Sequence, residues 1–175
     1  MDCYILTGGK SRRMGFPKEA LFLPRVLAAA GGAFENVIVI HRQDDPPHQD
    51  TAPVFGVLAA LRRAKERCFI LAVDYPLITA EVLAYLRERG GVPMWRGRPQ
   101  VLCAAYEPHL AGNIERRIGE GRLDLRGLID EAGAEMIAEA ELRARFAGEP
   151  LMNVNTPQEL EEAERIHGQR FFASR

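Results

Sequence analysis

The chain has 175 residues, and its 23 Lys and Arg residues nearly balance its 24 Asp and Glu residues, which leaves a formal net charge of −1. This balance argues against a large nucleic-acid-binding face, and no apolar run approaches the roughly 20 residues of a membrane span. We expect one domain over residues 1–167 and a tail over residues 168–175, in a cytoplasmic protein that has no signal peptide and binds neither nucleic acid nor membrane.

The first predicted strand, residues 3–6, leads directly into paired glycines and a cluster of cations. Gly8 and Gly9 allow unusual backbone angles, and successive free N–H groups there can form an anion-binding concavity. The spacing fits neither a P-loop, which would need glycine at Tyr4, nor the dinucleotide-binding Gly-x-Gly-x-x-Gly pattern. The positive charge that a triphosphate needs would come from the cations Lys10, Arg12, Arg13 and Lys18. The alternative to a triphosphate site is a Gly-rich turn whose cations are solvated.

Short apolar strands alternate with helical stretches along the next part of the chain, a pattern that predicts βαβ units and a parallel sheet. In such sheets ligands bind at the carboxyl ends of the strands. Pro24 is predicted to open the first helix, which Gly31 and Gly32 end, and Thr79 is predicted to cap the third helix. The strands are predicted over residues 37–40 and 69–73, and the second helix over residues 54–65.

The second half of the chain is predicted to begin with a β-hairpin over residues 92–106. Trp95 in this hairpin is predicted to be a packing residue, and the alternative is that it stacks against a ring-bearing substrate. Thr156 is predicted to cap the final helix through a capping box. The three scattered cysteines predict buried thiols in a reducing compartment, and the four histidines receive no metal role. Phe171 and Phe172 in the tail are predicted to pack on the core or to mediate a contact. Helices are also predicted over residues 108–119 and 124–132, and a strand over residues 134–138.

Asp74 follows the predicted strand 69–73 in the sequence Val-Asp-Tyr-Pro-Leu. A carboxylate at the end of a buried strand loses hydration energy unless it is paired or binds a metal. Mg²⁺ is usually held by one or two carboxylates together with substrate phosphates and water, so Asp74 is a candidate magnesium ligand. The alternative is an ordinary turn or helix-capping aspartate.

Asn153 and Asn155 precede the final predicted helix in the sequence Asn-Val-Asn-Thr-Pro. On an extended segment, side chains at positions i and i+2 point to the same side. Amides both donate and accept hydrogen bonds, so the two asparagines can contact one ligand. Turn and capping chemistry is the alternative, which accounts fully for Thr156 and less well for the asparagines.

Together these motifs resemble a known family. Residues 6–18 are similar to the signature Leu-x-Gly-Gly-x-x-x-Arg-Met-Gly-x-x-Lys of sugar-phosphate-type nucleotidyltransferases, and in detail to the molybdenum cofactor guanylyltransferases. Asp-x-Pro-Leu at Asp74 and Asn-Val-Asn-Thr-Pro-x-Glu-Leu at Asn153 resemble two further motifs of that family. The resemblance implies a single Rossmann-like three-layer α/β domain with a mostly parallel sheet and a small β-hairpin insertion. It also implies transfer of GMP from GTP to the molybdopterin cofactor, with release of pyrophosphate.

The resemblance also implies a role for individual residues and for other molecules. Asp74 would hold Mg²⁺, and Asn153 and Asn155 would place the acceptor by reading its pterin ring or orienting its phosphate. A cofactor-delivery or molybdoenzyme-chaperone protein is a further implied partner beside GTP and the molybdopterin cofactor. The implied catalytic residues are Arg13, Lys18 and Asp74, and the implied nucleotide-binding residues are Leu6, Thr7, Gly8, Gly9, Ser11, Arg13, Lys18, Asp50 and Asp74.

The sequence departs from the family pattern at three places. Pro17 stands where the guanylyltransferases usually carry Asp, and Pro-Lys is common in cytidylyl-transferring relatives. A cytidylyltransferase or another nucleotidyltransferase acting on a phosphorylated small molecule is therefore one alternative. Residues 19–36 are shorter than usual, which favours a second alternative, a non-catalytic nucleotide-binding relative. The family also has a further acidic residue that contacts the nucleotide, and the region that carries it is compressed in this chain. Asp50 is predicted to make that contact, in preference to Asp44 and Asp45.

Overall fold

Strands and helices alternate along much of the chain. The structure is a computed structural model that describes residues 1–7, 18–41, 52–168 and 171. Within these residues the strands are β1 (Cys3–Leu6), β2 (Val37–Ile40), β3 (Cys68–Ala72), β4 (Val92–Trp95), β5 (Arg98–Pro99), β6 (Cys103–Tyr106) and β7 (Met136–Ile137). The helices are α1 (Lys18–Gly31), α2 (Pro53–Arg63), α3 (Ala80–Arg89), α4 (Leu110–Gly119), α5 (Leu125–Glu131), α6 (Glu139–Arg145) and α7 (Pro157–His167).

The main sheet has the strand order β2-β1-β3-β6. β1 runs parallel to both of its neighbours, and β6 runs antiparallel to β3 at the edge. Leu6 at the end of β1 pairs with Ile40 of β2 and with Ala72 of β3. The carboxyl ends of three parallel strands therefore meet at one edge, where the sequence predicted a ligand.

Alternate residues of β1 face opposite layers of helices. Cys3 and Ile5 belong to an apolar cluster that includes residues of α1 and α3, whereas Tyr4 and Leu6 belong to a cluster that includes residues of α2, α4 and α5. Because successive strand residues point to opposite faces, a continuously apolar strand is covered on both sides. The predicted three-layer α/β arrangement with a mostly parallel sheet is confirmed. The predicted burial of free thiols is also confirmed, at Cys3, Cys68 and Cys103.

The predicted hairpin is right over its first part and wrong over its second. β4 and β5 pair antiparallel around a two-residue turn at Arg96 and Gly97, whose φ angles of 50° and 69° are those of a primed hairpin turn. β6 does not return to β4 but joins the main sheet beside β3. The reason is burial, since Cys103 and Ala104 are completely buried.

Pro24 does not open the first helix, and that prediction was wrong. α1 begins at Lys18 and contains Pro24, although it ends at Gly31 as predicted. Pro24 cannot donate to the Ala20 carbonyl, but both residues are exposed, so water can bind that carbonyl. As a consequence, Lys18 lies in the first turn of a helix.

The predicted caps are confirmed, and one helix was missed. Thr79 accepts a hydrogen bond from the N–H of Val82 at the start of α3, and Thr156 forms the predicted capping box with Glu159. α6 was not predicted, because it is only seven residues long and buries only Leu142, so its sequence shows no apolar periodicity. None of the described helices is long and apolar enough to cross a membrane.

Trp95 is a packing residue, as predicted. It is 1% exposed and donates from Nε1 to Glu149 at 3.1 Å, while the Arg143 guanidinium lies 4.2 Å from its ring centre. Both contacts attach the hairpin to α6 and to the loop that follows it. A side chain covered in this way cannot stack on the ring of a substrate.

Phe171 packs back onto the first helix, one of the two outcomes expected for the tail. Its ring lies 6.0 Å from the ring of Phe22 and 4.4 Å from the guanidinium of Arg25. Its N–H donates to Glu164 at 2.6 Å. Phe172 lies outside the described residues, and the division into a domain and a tail stays a prediction.

Phe171→Ala should lower the free energy of unfolding by about 1–2 kcal/mol, because a half-buried ring loses packing area and an aromatic pair. Urea unfolding followed by circular dichroism measures this change. Ile166→Ala is the matched control, since Ile166 is 38% exposed on α7 and should change stability by less than about 0.5 kcal/mol. Equal effects of the two substitutions would contradict the docking of Phe171.

Candidate active site

Three of the predicted site residues converge at the carboxyl edge of the main sheet. Asp74 lies just beyond β3, Lys18 lies in the first turn of α1, and Asn155 lies in the extended segment before α7. The Lys18 ammonium donates to Asn155 Oδ1 at 2.5 Å, and its nitrogen lies 3.9 Å from Asp74 Oδ2. A cation, a carboxylate and an amide from three distant parts of the sequence therefore share one site.

The Asp74 carboxylate has one accessible side and one buried side. The side chain is 22% exposed, yet Oδ1 is buried and is the only such side-chain atom without a hydrogen-bond partner among the described residues. Burial raises the pKa of Asp74 above its usual value, and the nearby Lys18 opposes that shift. An anionic oxygen that is buried without a partner is energetically unfavourable, so binding of a cation there would relieve the cost.

Backbone hydrogen bonds hold Asp74 between β1 and the asparagine segment. The N–H of Val73 donates to the Leu6 carbonyl at 3.1 Å, and the N–H of Val154 donates to the Asp74 carbonyl at 2.9 Å. Val154 is completely buried, so the two asparagines beside it lie on the more exposed side of the segment. The predicted alternation of this segment is therefore present in the structure.

Leu6 and Thr7 lie at the same edge of the sheet. The N–H and the hydroxyl of Thr7 both donate to the Ile40 carbonyl, at 3.1 Å and 3.2 Å. The Thr7 hydroxyl also lies 3.2 Å from His41 Nδ1, which is 3.2 Å from the carboxylate of Glu19. These contacts join the ends of β1 and β2 to the first turn of α1.

Asn153 contacts a different group of residues from Asn155. Its Nδ2 donates to Gln100 Oε1 at 2.8 Å, and the Tyr75 hydroxyl donates to the same oxygen at 3.1 Å. Burial raises the pKa of Tyr75 well above its usual value, so its hydroxyl stays protonated and can donate. Neither Gln100 nor Tyr75 was predicted as a site residue. A glutamine in the otherwise apolar segment 100–106 was the signal available for Gln100.

Glu159 fixes the backbone of Asn155 through the capping box of α7. Its Oε2 accepts from the N–H of Asn155 at 2.7 Å and from the N–H of Thr156 at 2.9 Å. A carboxylate at a helix N-terminus satisfies free N–H groups and favours the helix dipole. The same interaction therefore starts the helix and holds one side of the site.

Glu159→Ala should lower the free energy of unfolding by about 1–2 kcal/mol and reduce kcat/KM by about tenfold, because the cap is lost and Asn155 is no longer held. Chemical denaturation and steady-state kinetics measure the two effects. Glu161→Ala is the control on the exposed side of the same helix. A Glu159 variant that loses stability but keeps full kcat/KM would show that the box has no role in the site.

Five predicted nucleotide-binding residues lie outside the described residues: Gly8, Gly9, Ser11, Arg13 and Asp50. Their roles stay predictions, as does the choice of Asp50 over Asp44 and Asp45. Leu6, Thr7, Lys18 and Asp74 are described and lie at one edge of the sheet. The described part of the predicted nucleotide-binding set is therefore brought together.

Asp74 fits a magnesium site that is completed by a substrate. No group of three or more His, Cys, Asp or Glu side chains that could hold a metal occurs among the described residues. Mg²⁺ commonly takes only one or two protein carboxylates, with phosphates and water as its other ligands. The unpartnered Oδ1 of Asp74 meets that requirement, and Asp74 is the residue that would hold the ion.

Comparisons with known proteins find relatives of this chain by sequence and by structure. A family model described as the MobA-like NTP transferase domain matches residues 3–136. A probable molybdenum cofactor guanylyltransferase of Mycobacterium bovis is 30% identical, with 87% of each chain covered. A protein of the same description from Mycolicibacterium paratuberculosis is 31% identical, with 89% of this chain and 91% of its own covered. The solved structure of molybdopterin-guanine dinucleotide biosynthesis protein A from Archaeoglobus fulgidus has a TM-score of 0.66 and 23% identity, and covers 96% of this chain and 99% of its own.

Proposed function

The chain belongs to the MobA-like NTP transferase family, and from this we propose that it transfers GMP from GTP to the terminal phosphate of the molybdopterin cofactor, releasing pyrophosphate. It is a nucleotidyltransferase, as the sequence motifs predicted. The observation that carries the proposed reaction is the convergence of Lys18, Asp74 and Asn155 at the carboxyl edge of the sheet. The names of the two mycobacterial relatives support the choice of guanylyl transfer.

The proposed chemistry needs no activated side-chain nucleophile. An oxygen of the acceptor phosphate attacks the α-phosphorus of GTP, and the bond from that phosphorus to the oxygen bridging to the β-phosphate breaks. Pyrophosphate leaves with the electron pair of that bond. Because a phosphate oxygen is already anionic at neutral pH, catalysis rests on alignment of the reactants and neutralisation of charge.

In this proposal each residue of the site has one task. Lys18 and Arg13 neutralise the triphosphate, and Asn153 and Asn155 place the acceptor. Asp74 holds Mg²⁺, which when bound supplies positive charge to the phosphates. The 2.5 Å contact between Lys18 and Asn155 supports this arrangement, since it joins the nucleotide-binding residues to the acceptor-binding residues.

We further propose that the protein acts in the cytoplasm and that a cofactor-delivery or molybdoenzyme-chaperone protein brings the acceptor. The reducing environment expected from three free buried cysteines supports the first. Co-purification of the tagged protein with a molybdoenzyme chaperone from its own cells tests the second. A tagged protein that receives the cofactor at the same rate with and without such a chaperone would contradict it.

Calorimetric titration of GTP, CTP, ATP and UTP into the protein with Mg²⁺ tests the choice of nucleotide. We expect GTP to bind selectively. A preference for CTP would instead favour cytidylyl transfer, the reaction to which Pro17 points. Failure of a folded sample to bind any of the four would favour the non-catalytic alternative.

A further inference from the structure

The orientation of the Gln100 amide is dictated by its neighbours. Gln100 is 7% exposed, and its Nε2 lies 3.1 Å from the Trp95 carbonyl and 2.9 Å from the Arg98 carbonyl. Carbonyl oxygens only accept hydrogen bonds, so the nitrogen of the amide must face them. The Gln100 oxygen therefore faces the opposite way, toward Asn153 and Tyr75.

The Gln100 oxygen in turn dictates the orientation of Asn153. Since an amide oxygen only accepts, Asn153 must turn its nitrogen toward Gln100, at 2.8 Å. Asn153 is half-buried. Among the described residues its oxygen has no hydrogen-bond partner, and this oxygen is not fully buried. A hydrogen-bond acceptor of Asn153 is thus available to a ligand.

Asn155 has the reverse orientation for the same kind of reason. The Lys18 ammonium only donates, so the oxygen of Asn155 must face it, at 2.5 Å. The Asn155 nitrogen then points away from Lys18, and within the described part of the chain it has no hydrogen-bond partner. The two asparagines therefore present opposite groups, an oxygen at 153 and an N–H at 155.

We propose that Gln100 is a positioning residue that holds Asn153 with its oxygen toward the acceptor, where it accepts a hydrogen bond from an N–H group of the pterin. Asn155, oriented by Lys18, donates instead to a phosphate oxygen. Phosphate oxygens at neutral pH accept but do not donate, so they match Asn155 and not Asn153. The amino and lactam N–H groups of a pterin match Asn153. This assignment rests on the proposed function for the identity of the acceptor.

Gln100→Met tests the assignment, because it keeps the length of the side chain and removes the amide. We expect the KM for the molybdopterin cofactor to rise about tenfold, the loss expected for one well-placed hydrogen bond, with the KM for GTP unchanged. Gln158→Met makes the same substitution at an exposed position of α7 and should change neither value. An unchanged acceptor KM in Gln100→Met would overturn the proposal.

A double-mutant cycle separates positioning from general structural damage. If Gln100 acts only through Asn153, then Gln100→Met should have no further effect on acceptor KM when Asn153 is already alanine. An equal effect in both backgrounds would overturn the proposal. Should Gln100→Met fail to fold, Gln100→Asn keeps the amide and withdraws its oxygen from Asn153, and the same results are expected.

Side-chain amide signals in the NMR spectrum of ¹⁵N-labelled protein give a readout that needs no turnover. We expect the Asn153 amide protons to exchange slowly with water in the wild-type protein and rapidly in Gln100→Met. Identical exchange in both would overturn the role of Gln100, even if GMP transfer is normal. If the wild-type protein transfers no GMP while the amide behaves as expected, the proposed function fails and the positioning of Asn153 stands.

Discussion

Replacing Lys18 with alanine is expected to reduce the turnover of GMP transfer by at least about 10²-fold, the usual order for removal of one preorganised charge contact. The effect should be large because the Lys18 nitrogen contacts both the proposed acceptor-binding residue and the proposed metal-binding residue. It lies 2.5 Å from Asn155 Oδ1 and 3.9 Å from Asp74 Oδ2. Its side chain is 16% exposed, so little water is available to take over its charge. Turnover at saturating GTP and acceptor measures this loss.

Lys65→Ala is the matched control for the loss of one positive charge. Lys65 is exposed in the loop that precedes β3, at the edge of the sheet opposite to Asp74. We expect its turnover to stay close to that of the wild-type protein. Near-normal turnover of Lys18→Ala, measured beside this control, would remove Lys18 from the mechanism.

Asp74→Asn is expected to reduce turnover by at least about 10²-fold while stabilising the free protein by on the order of 1 kcal/mol at neutral pH. Activity should fall because an amide would replace the carboxylate that holds Mg²⁺ in the proposed mechanism. Stability rises because burial holds the pKa of Asp74 above its unfolded value, so the charged form is unfavourable in the folded protein. Function and stability are thus opposed at one carboxylate.

The pH dependence gives this prediction a definite sign. A group whose pKa is raised by folding binds more protons in the folded state, so the stability of the wild-type protein falls as pH rises through the folded pKa of Asp74. The asparagine does not titrate. The stability difference between the two proteins should therefore be largest above that pKa and should shrink as the pH falls toward the unfolded value near ~3.9.

Denaturant unfolding at a series of pH values, without nucleotide, measures the stability difference. Asp130→Asn, at an exposed position of α5, is the control for the change in net charge. Thermal unfolding with GTP should show a Mg²⁺-dependent rise in Tm for the wild-type protein and none for Asp74→Asn. A variant that is less stable than the wild-type protein and still responds to Mg²⁺ would contradict both parts of the prediction.

Local sequence signals predicted the parts of the fold that depend on near neighbours. The strand before Asp74 and the capping box at Thr156 are each decided by a few consecutive residues, and both are confirmed. Parallel pairing then determines which strand ends meet, so the shared edge of Leu6 and Asp74 followed from the alternation of strands and helices. These are the features for which local preference and overall fold agree.

The features that were missed depend on distant contacts. β6 joined the main sheet rather than the hairpin because the deeply buried position beside β3 was available to it. Pro24 is tolerated inside α1 because it lies on the exposed side, which sequence alone did not reveal. Gln100 and Asn153 are more than fifty residues apart in the sequence, and no local pattern predicts a hydrogen bond between residues so far apart.

The most direct test of the proposed GMP transfer is to incubate the protein with Mg²⁺, the molybdopterin cofactor and GTP labelled at the α-phosphate, and to separate the products. We expect the label in a guanine dinucleotide of the cofactor, with one pyrophosphate released for each dinucleotide formed. Label that stays in GTP, in a sample that is folded and binds the nucleotide, would contradict the proposed transfer.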